Sequence, residues 1–195
     1  MHDMKIGVLA LQGAFAEHIH ILEKIGVTAV EVRLPHEMAD IDGLIIPGGE
    51  STTIGKLAVR FGLMEPIRQL ASTRPIWGTC AGAIFLARDP RHGQPLLALM
   101  DIRVQRNAFG RQAESFETDL DVPEITTAEN SRPFHGVFIR APLIESVGPA
   151  VQVLARLPDG RIVAARQDNL LATSFHPELT GDDRFHRYFL SFKFR

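Results

Sequence analysis

Apolar and polar positions keep one rhythm through the first half of the chain and another from about Leu97 onward. In the first half, Lys5 to Leu11, Ile41 to Ile46 and Ile76 to Thr79 are short runs with few polar side chains, the pattern of strands covered on both faces of a parallel sheet. Val27 to Leu34 alternates well enough for a further strand, closed by Pro35. Between these runs the period lengthens. Phe15, Ile19, Leu22 and Ile25 recur at helical spacing with Gly26 placed to stop the helix, Leu63 to Ala71 reads as another helix, and a helix-like segment lies near Leu57. Strands and helices alternating over short connections predict a doubly wound sheet with right-handed crossovers.

In the second half the strands become short and the turns polar. Asp101 to Gln105, Phe116 to Val122, Gly136 to Ile139, Val151 to Leu157 and Ile162 to Arg166 read as strands, with Pro158-Asp159-Gly160-Arg161 as a hairpin turn and Pro133-Phe134-His135-Gly136 as an inserted turn. Leu170 to Phe175 is a last strand. A final helix, Arg184 to Phe194, follows Asp182 and Asp183, and its stripe of Phe185, Tyr188, Phe189 and Phe192 reads as core against the sheet. No linker-like stretch separates the halves, so the later strands are expected to extend the same sheet. The expected fold is α/β: a three-layer α/β/α domain, 1–195, with a mostly parallel central sheet plus antiparallel additions.

Composition narrows the function. The 195 residues are enough for a substantial core, and a formal net charge of -2 gives no reason to expect nucleic acid or an anionic membrane as partner. A single cysteine makes neither an internal disulfide nor a cysteine-based zinc site, which fits a cytoplasmic enzyme. The first apolar run is too short for a signal peptide or a membrane span and reads as the first strand. Among eight histidines, His18 and His20 lie two apart on a helix and do not face each other, so neither a metal nor a cofactor gains support.

The lone cysteine sits in Gly78-Thr79-Cys80-Ala81-Gly82, where a strand ends and an apolar helix begins. This spacing resembles a nucleophile elbow with cysteine in place of serine: the glycines leave room for a sharp turn that lifts the side chain into a cleft. The helix start would add unpaired N–H groups and positive potential that favour a negatively charged sulfur. A small buried hydrophobe is the plain alternative for a lone cysteine. A second candidate is His176-Pro177-Glu178. Proline pushes His176 toward an extended conformation, in which residues two apart share a face, so Glu178 can orient the imidazole. A third is Pro47 to Thr53, where Gly48 and Gly49 expose backbone N–H groups at a strand's carboxyl end. A phosphate-binding loop would need a Gly-Lys-Ser/Thr ending, and Glu50 stands where phosphate would sit. Together the three stretches describe a cysteine hydrolase of an amide or ester, with N–H groups of Gly49 and Ala81 as oxyanion donors.

Several longer stretches carry a resemblance over essentially the whole chain: Leu11 to His18, Gly48-Gly49-Glu50-Ser51-Thr52, Gly78 to Gly82, Arg106-Asn107-Ala108-Phe109-Gly110-Arg111-Gln112, Phe138 to Pro142 and Ser174 to Glu178. With these the chain resembles the glutaminase subunits of pyridoxal 5'-phosphate synthase, class I (triad-type) glutamine amidotransferases of flavodoxin-like fold. The resemblance implies hydrolysis of L-glutamine to L-glutamate and ammonia, with Cys80 as nucleophile, His176 as base and then acid, and Glu178 orienting the ring. It implies a glutamine pocket of Gly48, Gly49, Glu50, Arg106, Ile139 and Arg140. Bottom-up, Glu50 fits an N-cap as well as a substrate contact. The implied partner is a barrel-shaped synthase subunit, twelve of which form a core carrying twelve glutaminase subunits and receiving the ammonia internally. The Gly48-Gly49 peptide is then expected to be misoriented until docking completes the oxyanion hole. A small cysteine peptidase, an amidotransferase serving another pathway and a noncatalytic redox sensor are the competing functions.

Overall fold

The computed structural model describes residues 4–89, 91, 93–106, 108 and 115–192. Strand β1 (Lys5–Leu9) lies between β2 (Thr28–Val32) and β3 (Gly43–Ile46), parallel to both, and β3 continues to β4 (Ile76–Thr79) and β11 (Leu170–Thr173), again in parallel. β1, β3 and β11 are apolar segments read from the sequence, each shortened at one end, β2 is the alternating segment, also shortened, and β4 keeps its expected bounds. Beyond β11 the sheet turns antiparallel through β10 (Ile162–Gln167), β8 (Leu143–Val147) and β5 (Ile102–Gln105), and β9 (Gln152–Arg156) pairs with β10 off that line. The hairpin turn at Pro158 to Arg161 joins β9 to β10 as expected, with Leu157 N–H on the Arg161 carbonyl at 2.8 Å.

Strand periodicity sorts the apolar side chains between two cores. Along β3, Leu44 and Ile46 enter one and Ile45 the other; along β4, Ile76 and Trp77 divide in the same way. The first core is covered by α2 (Ser51–Arg60), α3 (Met64–Ala71) and α4 (Ala81–Leu86), and the second by α1 (Phe15–Lys24) and α5 (Arg184–Leu190). The result is the expected three-layer arrangement of mixed parallel and antiparallel sheet. Phe185 and Phe189 pack on Trp77, so the aromatic stripe of the last helix is core. That helix ends at Leu190, short of the expected Phe194: Ser191 and Phe192 already lie past it, Phe192 still buried, and 193–194 fall outside the described residues.

Two expectations change. Strands β6 (Ser115–Leu120) and β7 (Phe134–Ile139) form a separate antiparallel ribbon and do not join the main sheet. Its inner residues Leu120, Phe134 and Phe138 bury themselves in the second core, Phe134 against Phe185 and Phe175, which holds the ribbon over the sheet face. The segment from Pro133 to Gly136 is therefore the start of a strand and not an inserted turn. Strand β8 was not anticipated: Leu-Ile-Glu-Ser-Val fully buries only Ile144, too weak an alternation to stand out. No described helix is long and apolar enough to cross a membrane.

Candidate active site

The parallel strand order 2-1-3-4-11 reverses direction at β1, so the loops after β1 and β3 part and open a crevice at the carboxyl edge of the sheet. The loops after β1, β3, β4 and β11 meet there. β4 ends in Cys80, whose N–H is tied to the Thr173 carbonyl of β11 at 2.8 Å, and β11 runs on to His176, whose N–H reaches the Val137 carbonyl of β7 at 2.8 Å.

Cys80 sits at φ 49°, ψ -107°, a left-handed φ that a residue with a β-carbon holds only at a cost of about 1–3 kcal/mol. The flanking glycines explain why the chain can turn so tightly. A β-carbon on Gly78 would stand 2.4 Å from the Gly82 carbonyl oxygen, and one on Gly82 would stand 2.0 Å from that of Ile46, so only glycine lets the elbow close against β3. The expected Gly-x-Cys-x-Gly elbow is thus formed, and α4 begins at Ala81 immediately after it.

His176 and Cys80 are brought side by side. A β-carbon on Gly48 would lie 2.5 Å from His176 Cε1 and 3.2 Å from Cys80 Cβ, so Gly48 is the floor on which both side chains rest. The Cys80 side chain and the His176 ring thus meet across Gly48, and the Cys80 thiol reaches the Ile139 carbonyl at 3.9 Å. On its far side the ring holds Glu178, Nδ1 to Oε1 at 2.7 Å. The anticipated pairing is met by a different backbone: Pro177–Leu179 is a single 3-10 turn after an extended His176, and the turn carries the carboxylate round to the ring. Burial opposes a charged His176, but the hydrogen bonds and charges of Cys80 and Glu178 outweigh it and raise its pKa to about 10. Burial likewise opposes a charged Glu178, and the neighbouring His18 and His176 hold its carboxyl below the ordinary range.

In front of the thiol lies a cleft of about 360 Å³ lined by Gln12, Glu50, Cys80, Ala81, Arg106 and Arg140, together with Gly49, Ser51, Ile84 and Pro142. That is within the range of small-molecule sites. Glu50 is here the N-cap of α2: its carboxylate accepts from the N–H groups of Thr52 at 3.0 Å and Thr53 at 2.7 Å, and from Arg106 at 3.3 Å. Burial disfavours its charge, yet the hydroxyls and N–H groups of Thr53 and Thr52 bring its pKa down to about 2. Arg106 also reaches Thr52 and Gln94, while the rest of its stretch, Asn107 and Phe109 to Gln112, lies outside the described residues. Ile139 ends β7 at the rim, half-exposed, and Arg140 follows at φ 44°. The Gly48 carbonyl accepts from Ala14 N–H at 3.0 Å. Gly49 N–H, on the opposite edge of that trans peptide, points away from Ala14 and has no partner among the described residues.

Two residues escaped the sequence reading. Gln12 lines the cleft and accepts the Glu50 N–H at 2.7 Å, and its signals were its place just beyond an apolar run at a strand's carboxyl end and inside the Leu11 to His18 stretch. His18, set aside because it lacked suggestive neighbours in sequence, stands 3.4 Å from Glu178 Oε2, brought there by α1 packing against the Pro177–Leu179 turn.

The fold with its elbow is that of a glutamine amidotransferase: a crystal structure described by that name superposes with a TM-score of 0.88 at 50% identity, covering 96% of this chain and 97% of that one. The chain belongs to the SNO glutamine amidotransferase family, which matches residues 8–193. It is 62% identical over 192 residues to pyridoxal 5'-phosphate synthase subunit PdxT of Herpetosiphon aurantiacus, covering 96% of this chain and 99% of that protein. Identity to the protein of the same name from Dehalococcoides mccartyi is 59% over 191 residues, 96% of each chain.

Proposed function

We propose that this chain is the glutaminase subunit of a pyridoxal 5'-phosphate synthase and that Cys80, His176 and Glu178 hydrolyse L-glutamine to L-glutamate and ammonia. One observation carries the reading: Gly48 seats the sulfur-bearing side chain of the strained elbow against an imidazole whose Nδ1 is held by a buried carboxylate at 2.7 Å. A His176 pKa near 10 means that the ring already holds its proton at neutral pH, before substrate arrives. Sulfur adds to the side-chain carbonyl carbon of glutamine, and the carbonyl electron pair moves to oxygen. Gly49 N–H and Ala81 N–H, one from the loop and one from the start of α4, are the donors for that oxyanion. Collapse breaks the C–N bond as His176 gives its proton to the departing nitrogen, leaving a thioester and ammonia. Water then attacks the thioester as His176 takes its proton, and collapse breaks the C–S bond, releasing glutamate and returning the sulfur as an anion beside the protonated ring.

In this reading Gly48, Gly49, Glu50, Arg106, Ile139 and Arg140 form the glutamine site. The arginines suit the substrate carboxylate, and the exposed edge of Glu50 suits its ammonium. Free ammonia would be protonated near neutral pH and lose its nucleophilicity, which favours direct transfer to a barrel-shaped synthase subunit, twelve of each in a cytoplasmic complex. The chain 1–195 then acts as one amidotransferase domain. If docking rotates the Gly48-Gly49 peptide, the Ala14 N–H loses its acceptor, and hydrogen exchange at Ala14 should speed up on complex formation. The deciding experiment is glutamate release from L-glutamine by the purified chain with and without the synthase subunit. Release in the complex, lost in Cys80→Ala, is expected. Peptide hydrolysis without glutaminase activity in the complex would overturn the proposal.

A further inference from the structure

Behind Glu178, on the side away from His176, two histidines from distant elements are buried: His18 of α1 and His186 of α5. His18 Nε2 lies 3.4 Å from Glu178 Oε2 and 3.3 Å from Thr79 Oγ1, and His18 Nδ1 lies 3.0 Å from His186 Nε2. Trp77 packs edge-on against both rings, with centroids 5.6 Å and 5.0 Å away. Burial lowers the pKa of both, so each ring is neutral and carries one proton.

One proton per ring leaves two arrangements. In the first, His186 Nε2–H donates to His18 Nδ1, and His18 Nε2–H faces Glu178 and Thr79. What remains is a bare lone pair at His186 Nδ1, an atom with no partner among the described residues. In the second, His18 Nδ1–H donates to His186 Nε2. That leaves a buried N–H on His186 without an acceptor and turns a lone pair of His18 toward Glu178 Oε2, an atom 3.4 Å away that has no hydrogen-bond partner among the described residues. Stranding a donor and opposing a lone pair to a carboxylate costs more than stranding one acceptor. The first arrangement holds.

We infer that His18, set in its Nε2–H tautomer by His186, is a positioning residue: it holds the positive end of its N–H dipole 3.4 Å from Glu178 Oε2, which leaves Oε1 to hold and orient His176. The inference rests on the Cys80–His176–Glu178 reading above and extends it by one element of structure. Without His18 the buried carboxylate would turn or take up a proton, and the imidazole beside Cys80 would lose its orientation.

The test follows alkylation of Cys80, the sole cysteine, by iodoacetamide in the full-length chain, and kcat and KM for glutamine in the complex with the synthase subunit. His18→Phe keeps a ring of similar shape and removes the donor; His18→Gln places an amide N–H at about the reach of Nε2. Alkylation and kcat in His18→Phe should fall about tenfold with KM little changed, the loss expected when a buried carboxylate oxygen loses the one polar N–H near it, and His18→Gln should stay within about threefold of wild type. Wild-type rates in His18→Phe, or equal losses in His18→Phe and His18→Gln, would overturn the inference, since the donor would then be irrelevant. If His18→Phe does not fold, His18→Asn, whose amide stops one methylene short, replaces it, and equal rates in the Asn and Gln variants would overturn the inference. A wild type without glutaminase activity would remove the proposed reaction, while the alkylation comparison would still decide the role of His18.

Discussion

Gly48 offers the sharpest test of how the site is packed, because its lack of a side chain is what allows the thiol and the imidazole to meet. Its φ is not left-handed, so alanine fits the backbone without strain and any effect comes from the added methyl group alone. That methyl would stand 2.5 Å from His176 Cε1 and 3.2 Å from Nδ1 and from Cys80 Cβ. Restoring ordinary contact means moving the ring by about 1 Å, and a displacement of that size in a catalytic group costs about 10²-fold in rate, or about 2.7 kcal/mol of transition-state stabilisation. The ring cannot retreat freely, because Nδ1 is held at 2.7 Å by Glu178, itself buried. Gly48→Ala is therefore expected to lower kcat/KM for glutamine about a hundredfold in the synthase complex, and to slow iodoacetamide labelling of Cys80, while the thermal unfolding midpoint moves by a few degrees at most. Full glutaminase activity in a folded Gly48→Ala would refute the placement of thiol and imidazole on that glycine.

Other consequences follow from the same coordinates. Cys80→Gly should abolish turnover yet raise the unfolding midpoint by roughly 2–4 °C, because glycine relieves the left-handed φ of 49°; calorimetry showing destabilisation would contradict the strain assignment. His176 is raised from 6.5 to about 10 on folding, so its contribution to stability is complete below pH 6.5 and is lost as pH rises through 10. The stability advantage of wild type over Glu178→Gln, read from urea midpoints, should accordingly narrow between pH 7 and 10, and a constant gap would exclude the linkage. Glu50→Ala removes acceptors for the Thr52 and Thr53 N–H groups, and should destabilise the chain by about 1 kcal/mol in chemical denaturation; an unchanged midpoint would show that solvent replaces the cap without loss.

Much of the site was legible in local sequence. Gly-x-Cys-x-Gly specifies a tight elbow because two backbone approaches, Gly78 to Gly82 and Gly82 to Ile46, exclude any β-carbon. His-Pro-Glu puts a carboxylate within reach of an imidazole because two residues and a proline leave few backbone paths, even though the path taken was a turn and not a strand. The parallel half was legible for a similar reason: strands covered on both faces are apolar throughout. The ribbon of β6 and β7 was misplaced because a half-buried strand has the same alternation whether it adds to a sheet edge or lies over a sheet face.

By itself, then, the order of residues determined the elements of the first half, the elbow and the local grip of Glu178 on His176, all short-range consequences of steric exclusion and hydrophobic period. Only the tertiary structure decided that Gly48, Cys80 and His176 meet at one crevice with His18 of α1 buried behind Glu178, and that Glu50 spends its carboxylate on a helix end. Those outcomes depend on which helix covers which face of the sheet and on which donors burial leaves without water, and neither is written in any single stretch of chain.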